Sequence, residues 1–340
     1  EDSHRFDKLS DRVIANRAHA AVTPRHQGRR RAHIHEKLRR MTSGPVDSPP
    51  RRGSPDSGDG WVEGPDGRRF WGLFGAAGLL ALDPERGILL QHRAVWSHFG
   101  GTWGLPGGAR HKGESALQGA LREATEEAGV PDGAVRARFA SVLDLGYWSY
   151  ATVLVDVLQP FDARATDPES ISLEWVPVAE VDALPLHPGF EAAWPALREA
   201  LTRRAVVIVD AANVVGSRPD GWWKDRAGAA ERLIAAVGSL VGEGVPAPAF
   251  DLPESWWWPE FVVVLEGEGR DAVVAEGTGV DVVKAPGSGD DEVVAQVQRA
   301  FDAGAEHVVV VTADHELQRR VERLGAGFTG PRVLLELSGY

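Results

Sequence analysis

The run GGARHKGESALQGALREATEEAGV, from Gly107 to Val130, constrains this chain more than any other stretch. Its second half reads as a helix from Ser115 to Ala128, because Leu117, Leu121, Ala124 and Ala128 recur at intervals of four, three and four and share one apolar stripe. Glu123, Glu126 and Glu127 stand at i, i+3 and i+4, off the centre of that stripe, and form one acidic face. Three close carboxylates repel one another, and burial pushes at least one toward protonation unless a cation neutralises them. Hard oxygen ligands of this kind favour Mg2+ or Mn2+, whose remaining positions take phosphate oxygens. Gly107, Gly108 and Gly113 let the preceding loop bring backbone close to a ligand, and Gly129 suits the left-handed cap that ends a helix. The bland account is an amphipathic helix with a Glu-rich solvent side. The loop glycines, Glu114 and the Arg122-Glu123 pair at fixed offsets decide against it.

Written as G-x5-E-x7-R-E-U-x-E-E-x-G-U, with U apolar, the spacing holds Gly108, Glu114, Arg122, Glu123, Glu126, Glu127 and Gly129, with Ala124 and Val130 as U. It resembles the box of the Nudix pyrophosphohydrolases, except that Ala124 is smaller than the aliphatic residue usual there. The resemblance covers roughly Arg68 to Arg203 and implies an α/β/α sandwich around a mixed sheet. It also implies metal ions on Glu123, Glu126, Glu127 and the Gly108 carbonyl, with Arg122 orienting a glutamate and Glu114 bracing the loop. Family members often add a carboxylate from a late loop as ligand or base; Glu169 is the first candidate and Glu174 the second.

At 340 residues, with 43% hydrophobic and 25% charged residues, the chain is long enough for two domains with separate cores. It has no cysteine, which excludes disulfides, thiolate zinc sites and cysteine nucleophiles. No apolar run is long enough for a membrane span, so the expectation is a cytoplasmic protein. The net charge of −12 argues against a general nucleic-acid-coating surface. Residues 1–60 lack a sustained apolar period and are expected to form a disordered extension. Its basic segment, Arg29 to Arg31 with His33 and His35, is either a nucleic-acid contact or a solvated tail, and Met41 is read as the natural start.

Within residues 61–203, RRFWGLFGAAGLLALD reads as a buried strand and ILLQHRA as its partner across a turn. In GYWSY, Trp148 and Tyr150 are expected on one strand face and Tyr147 on the other, as base-stacking or core rings. A short strand at Leu173 to Val176 and a helix from about Gly189 to Thr202 close the unit. His111 lies where it could touch phosphate; His187 and His315 flank turns, and none of the three has the partners of a zinc site.

From Arg204 strands and helices alternate, implying a second, Rossmann-like three-layer domain on a mostly parallel sheet over 204–340. AVVIVDAANVVG, FVVVLE, AVVAE and EHVVVVTAD supply strands; helices are expected from Arg226 to Val241, after Asp290, and after Asp314. Asp210, Asp290 or Asp291, and Asp314 fall at strand ends or helix starts that a parallel sheet gathers at one edge, where two metals could support phosphodiester hydrolysis. Helix capping is the plain alternative for Asp290, Asp291 and Asp314. VDAANVVG, GSGDDEVV and VVTADHELQ resemble the NYN branch of the PIN-like nucleases, which implies an acidic site of Asp210, Asn213, Asp291 and Asp314 and RNA as partner. Trp222, Trp223 and the run Trp256 to Trp258 are either a base-stacking platform or a structural cluster.

The expected function is hydrolysis, by metal-activated water, of the pyrophosphate bond in a nucleoside diphosphate linked to another moiety, fused to a metal-dependent RNA nuclease. The alternative is a nucleotide-sensing Nudix module that regulates a nuclease or an RNA-binding domain.

Overall fold

The structure, a computed structural model, describes residues 56–340. The basic segment at Arg29 to Arg31, Met41 and most of the expected extension lie outside the described residues. Contacts divide the described chain into two compact units, 56–202 and 203–340.

Strand β3 (Ala76–Asp83) is the buried centre of the first unit: seven of its eight residues are buried, as befits a strand covered on both faces. The longer run from Arg68 is not one strand. Gly72 and Gly75 take φ values of 108° and 83°, which break it, and β2 (Arg69–Trp71) pairs antiparallel with β1 (Trp61–Glu63) instead. β4 (Gly87–Arg93) returns along β3 as the expected hairpin, with Asp83 accepting the N–H groups of Glu85 and Arg86 in the turn. β5 (Trp103–Gly104) and β6 (Gly107–Ala109) lead into helix α1 (Ala116–Ala128). β7 (Val135–Asp144), β8 (Ser149–Val157), β9 (Ser170–Val176) and helix α2 (Pro188–Ala200) follow.

These strands form the order β7-β8-β3-β4-β5, with β6 beside β3 and β9 beside β4. β3 and β8 run parallel and the other pairs antiparallel, which makes the sheet mixed. α1 opens on a capping box, Ser115 accepting from the Gln118 N–H while the Gln118 side chain accepts from the Ser115 N–H. It ends at Gly129 in the left-handed conformation, and it packs on β3 and β6. Its buried face is Ala120, Ala124 and Ala128, all fully buried, with Glu127 beside them. Ala124, small for the motif, sits in a row of alanines where the helix meets the sheet.

In the second unit, β10 (Ala205–Asp210) passes directly into helix α3 (Ala211–Gly216) at Asp210, so AVVIVDAANVVG is a strand and a helix. α4 (Arg226–Glu243) follows, then β11 (Val245–Pro246) paired antiparallel with β12 (Trp256–Trp257). β13 (Glu260–Leu265), β14 (Asp281–Lys284), α5 (Gly289–Asp302), β15 (His307–Val311), α6 (His315–Glu322), β16 (Gly327–Thr329) and α7 (Pro331–Ser338) complete it.

The sheet order is β14-β13-β10-β15-β16, all parallel, around a core that includes Ile208, Val264, Val297, Val310 and Leu317. AVVAE is not one of its strands. Val273 is 77% exposed and its N–H is taken by the Glu231 carboxylate, so Asp281–Lys284 fills the edge beside β13. The sheet reverses direction of growth at β10 and β15, and a parallel sheet opens a crevice at the carboxyl ends of such a pair. Asp210 ends the first of these strands, and Thr312 to Asp314 follow the second. Among the described residues, no helix is long and apolar enough to cross a membrane.

Candidate active site

Arg122 ties the loop between β6 and α1 to the helix itself. Its Nε and Nη2 donate to the two oxygens of Glu114 at 2.9 and 3.1 Å, and Nη2 also reaches the Ala109 carbonyl at 2.9 Å. Nη1 donates to Glu123 at 2.9 Å and to Glu126 at 3.3 Å. Glu114 also accepts the His111 N–H at 2.7 Å. Burial alone would raise the Glu114 pKa, but Arg122 and that N–H outweigh it and hold the carboxylate below its usual range.

The three glutamates of the helix divide by burial. The Glu126 side chain is 61% exposed, Glu123 is half-buried, and Glu127 is 7% exposed on the alanine side. Glu127 accepts the Gly107 N–H at 3.0 Å. Its pKa is pushed up to about 8, by burial first and then by Glu123. Glu123 rises to about 7, again by burial first, with Arg122 opposing and Glu126 adding to the rise. Gly108 leaves the room that Glu123 occupies: a Cβ there would lie 2.7 Å from the Glu123 carboxyl carbon.

Glu127, Asp167 and Glu169 each offer an oxygen within 4.8 Å of the others. Glu169 was the first late-loop candidate of the sequence, and Asp167 was not foreseen. The two are linked, the Glu169 N–H donating to Asp167 at 2.8 Å, and the Glu169 carbonyl accepts the Ala94 N–H at 2.8 Å. Glu174 is exposed in mid-strand and accepts from Ser172, so it stays outside the group. Three hard carboxylates, the buried Glu127 that favours its proton among them, fit a divalent cation with oxygen preference.

Arg93, at the end of β4, was also missed. Its charge is felt at Glu127, Tyr150, His98 and His187. The rings of Trp148 and Tyr150 lie 6.2 Å apart, as residues on one strand face would, and only the placement of Tyr147 needs correcting. Trp148 stacks on Phe70 at 4.5 Å and donates to the Trp71 carbonyl, while Tyr147 lies 6.1 Å from the same ring. The strand starts only at Ser149, so the alternation does not extend back to Tyr147. His187 caps α2 by accepting the Gly189 N–H. Burial, then Arg93, lowers its pKa to about 3.

The second unit gathers its acids differently. Asp210 accepts the Asn213 N–H at 3.1 Å and the Thr312 hydroxyl at 3.0 Å, and Asn213 accepts the Ala313 N–H at 2.8 Å. Burial, with Asp290 and Glu266 adding to it against these hydrogen bonds, raises Asp210 to about 6. Asp314 is an N-cap, accepting from Glu316 and Leu317 at 2.7 and 2.8 Å. Those bonds lower its pKa. Glu266, not foreseen, accepts the Gly289 N–H at 2.8 Å.

Asp291, the position carried from the resemblance, turns away: its side chain is 72% exposed and pairs with Arg320 at 2.6 Å. Asp290 takes the inward position, its pKa raised by burial first and then by Asp314. Successive residues on a helix point about 100° apart, so only one of the pair can face the sheet edge. Trp256 and Trp258 donate their indole N–H groups to the Glu243 and Gly242 carbonyls and Trp257 is fully buried, which makes this run structural. Trp223 stays 55% exposed, edge-on to Trp222.

The NUDIX domain model matches residues 73–199. A protein of Mycobacterium tuberculosis named "Putative 8-oxo-dGTP diphosphatase 3" is 47% identical over 153 residues, 42% of this chain and 70% of that one. A Bifidobacterium longum nucleoside triphosphate pyrophosphatase/Nudix hydrolase fusion protein is 39% identical over 158 residues, 43% of this chain and 32% of its own. A solved Nudix hydrolase from M. smegmatis is 47% identical, covering 42% of this chain and 94% of that one with a TM-score of 0.39. On the domain match, and on 47% identity across 70% of the mycobacterial relative, the chain belongs to the Nudix hydrolase family.

Proposed function

We propose that residues 61–203 hydrolyse the pyrophosphate bond of a nucleoside diphosphate linked to another moiety, with 8-oxo-dGTP as the first substrate to test. The observation that carries the reading is the group of three carboxylates made by Asp167, Glu169 and the buried Glu127, which favours its proton. Glu123, Glu126, Glu127 and the Gly108 carbonyl would hold Mg2+ or Mn2+, with Asp167 and Glu169 completing the donor set. When bound, the cation supplies positive charge to the diphosphate and lowers the pKa of water. Arg122 holds Glu123 and Glu126 in place while Glu114 keeps the loop against the helix. Glu169 accepts the proton of the attacking water, and the fixed loop aligns that water with phosphorus. The test is turnover of 8-oxo-dGTP, sugar nucleotides and dinucleoside polyphosphates by wild type and Glu127→Gln. Activity that survives the substitution removes the assignment.

For residues 204–340 we propose a PIN/NYN-like, metal-dependent RNA nuclease, on the acids at the crevice between β10 and β15. Asp210, Glu266, Asp290 and Asp314 are its acidic residues, and Asp291 gives way to Asp290. RNA cleavage that persists in Asp210→Asn removes this second reading. A nucleotide-sensing role for the Nudix unit predicts instead that Glu127→Gln changes the response of RNA cleavage to added nucleotide.

A further inference from the structure

Two hydrogen-bond donors in the first unit, beside the acidic group, have no partner among the described residues. The Arg93 guanidinium is held at one edge, Nε donating to the His98 carbonyl at 3.1 Å and Nη1 to the fully buried Gln91 at 3.4 Å. Gln91 is anchored in turn, donating to the Ser170 hydroxyl at 2.8 Å, next in sequence to Glu169. No partner for Arg93 Nη2 occurs among the described residues. The second donor is the Tyr150 hydroxyl. It lies over Gly78 of β3, so close that a Cβ on that glycine would be 2.2 Å from the phenolic oxygen. Gly78 is paired with Gly107, whose N–H donates to Glu127. Tyr150 therefore reaches from β8 across β3 to the backbone that holds the buried glutamate, and it feels the charges of Arg93, Glu127 and Glu123.

We infer that Tyr150 is a substrate-contact residue of the Nudix site, its hydroxyl donating to a diphosphate oxygen alongside Arg93, with Gly78 present to leave that hydroxyl room. The inference rests on the proposed pyrophosphohydrolase activity. An anionic substrate entering a site lined by Glu123, Glu126, Glu127, Asp167 and Glu169 needs donors that are not already committed to protein, and Arg122 is spent on carboxylates and a carbonyl. A hydrogen bond to a charged oxygen is among the stronger ones and is favoured where water is excluded. Burial first, then the two glutamates against Arg93, pushes the Tyr150 pKa up to about 12, so the phenol keeps its proton across the working range. Phenylalanine would keep the ring and lose only the donor.

The experiment uses the full chain and two readouts. The first is calorimetric binding of inorganic pyrophosphate with Mg2+; the second is kcat and KM for 8-oxo-dGTP. Tyr150→Phe is expected to weaken pyrophosphate binding and lower kcat/KM by roughly 10- to 100-fold, with an unchanged melting temperature. Gly78→Ala displaces the hydroxyl and should cost a similar factor in wild type but little more in the Tyr150→Phe background, a coupling that general loosening of the sheet would not produce. Unchanged pyrophosphate affinity in Tyr150→Phe overturns the inference, as does the absence of pyrophosphate binding by wild type. If wild type binds pyrophosphate but hydrolyses no nucleotide, the proposed activity falls while the binding comparison still judges Tyr150.

Discussion

Glu127 in the first unit accepts one backbone N–H and shares a space of 4.8 Å with two other carboxylates. Asp314 in the second accepts two N–H groups at the start of its own helix, Asp210 accepts an N–H and a hydroxyl, and Glu266 accepts the Gly289 N–H. The first site is an acidic helix face closed by a late loop, in which Arg122 pairs with Glu123 and Glu126. The second is built largely from caps at a sheet edge, where backbone N–H groups lower the pKa of Asp314 while Asp210 and Asp290 stay raised. Among the described residues, the second site has no three carboxylates as close as those of the first. On the metal site proposed for it, the first unit should therefore depend more heavily on a divalent cation, both for stability and for the proposed hydrolysis.

The sharpest way to break that comparison is Glu127→Gln. Hydrolysis of 8-oxo-dGTP should fall by roughly two to three orders of magnitude, the scale of losing one main electrostatic element of a site. The same residue makes a stability prediction. Its folded pKa, about 8, lies above the usual 4.5, so the metal-free protein is favoured below pH 4.5 and loses that contribution as pH rises to 8. Thermal melts with chelator across this window should show the decline, and Mg2+ or Glu127→Gln should each reduce it.

Asp290→Asn should lower the RNA cleavage proposed for the second unit by about 10- to 100-fold through loss of one charge-assisted contact, whereas Asp291→Asn should leave it near wild type. Equal losses in the two variants would mean that the inward position has been misassigned. A smaller effect concerns the flank of the first site. His187, with a folded pKa of about 3, cannot take up the proton that an unfolded histidine binds below pH 6.5. Stability should fall as pH drops through 6.5, by about 2 kcal/mol at pH 5. His187→Asn, which can still cap α2, should flatten that limb in denaturant titrations. Smallest of all, Glu174→Gln should leave turnover unchanged, since its carboxylate lies outside the acidic group.

Much of the first site was legible because it is local. A helix period places Glu123, Glu126 and Glu127 from their spacing alone, and the loop glycines mark where backbone must come close. Asp167 was not legible in the same way. It lies in an irregular segment far along the chain, and the one available signal was its position two residues before Glu169, ahead of the stretch SISLEWV. Arg93 reads in sequence as the end of a strand, and Tyr150 as one of three neighbouring aromatics. Only the pairing of β8 with β3 puts that hydroxyl over Gly78.

In the second unit the strand ends were readable but the choice between Asp290 and Asp291 was not, because it depends on how α5 docks on the sheet. AVVAE has the composition of a strand and lost the sheet edge to DVVK, since Val273 is turned toward Glu231 and solvent. The sequence by itself determined the acidic helix and its glycine loop, set by spacing within one continuous segment, and the family resemblance implied the Arg122 clip. Which distant carboxylates and donors surround Glu127 was decided by tertiary structure, because strand order and register, unlike helix period, bring together residues whose separation along the chain carries no trace of their contact.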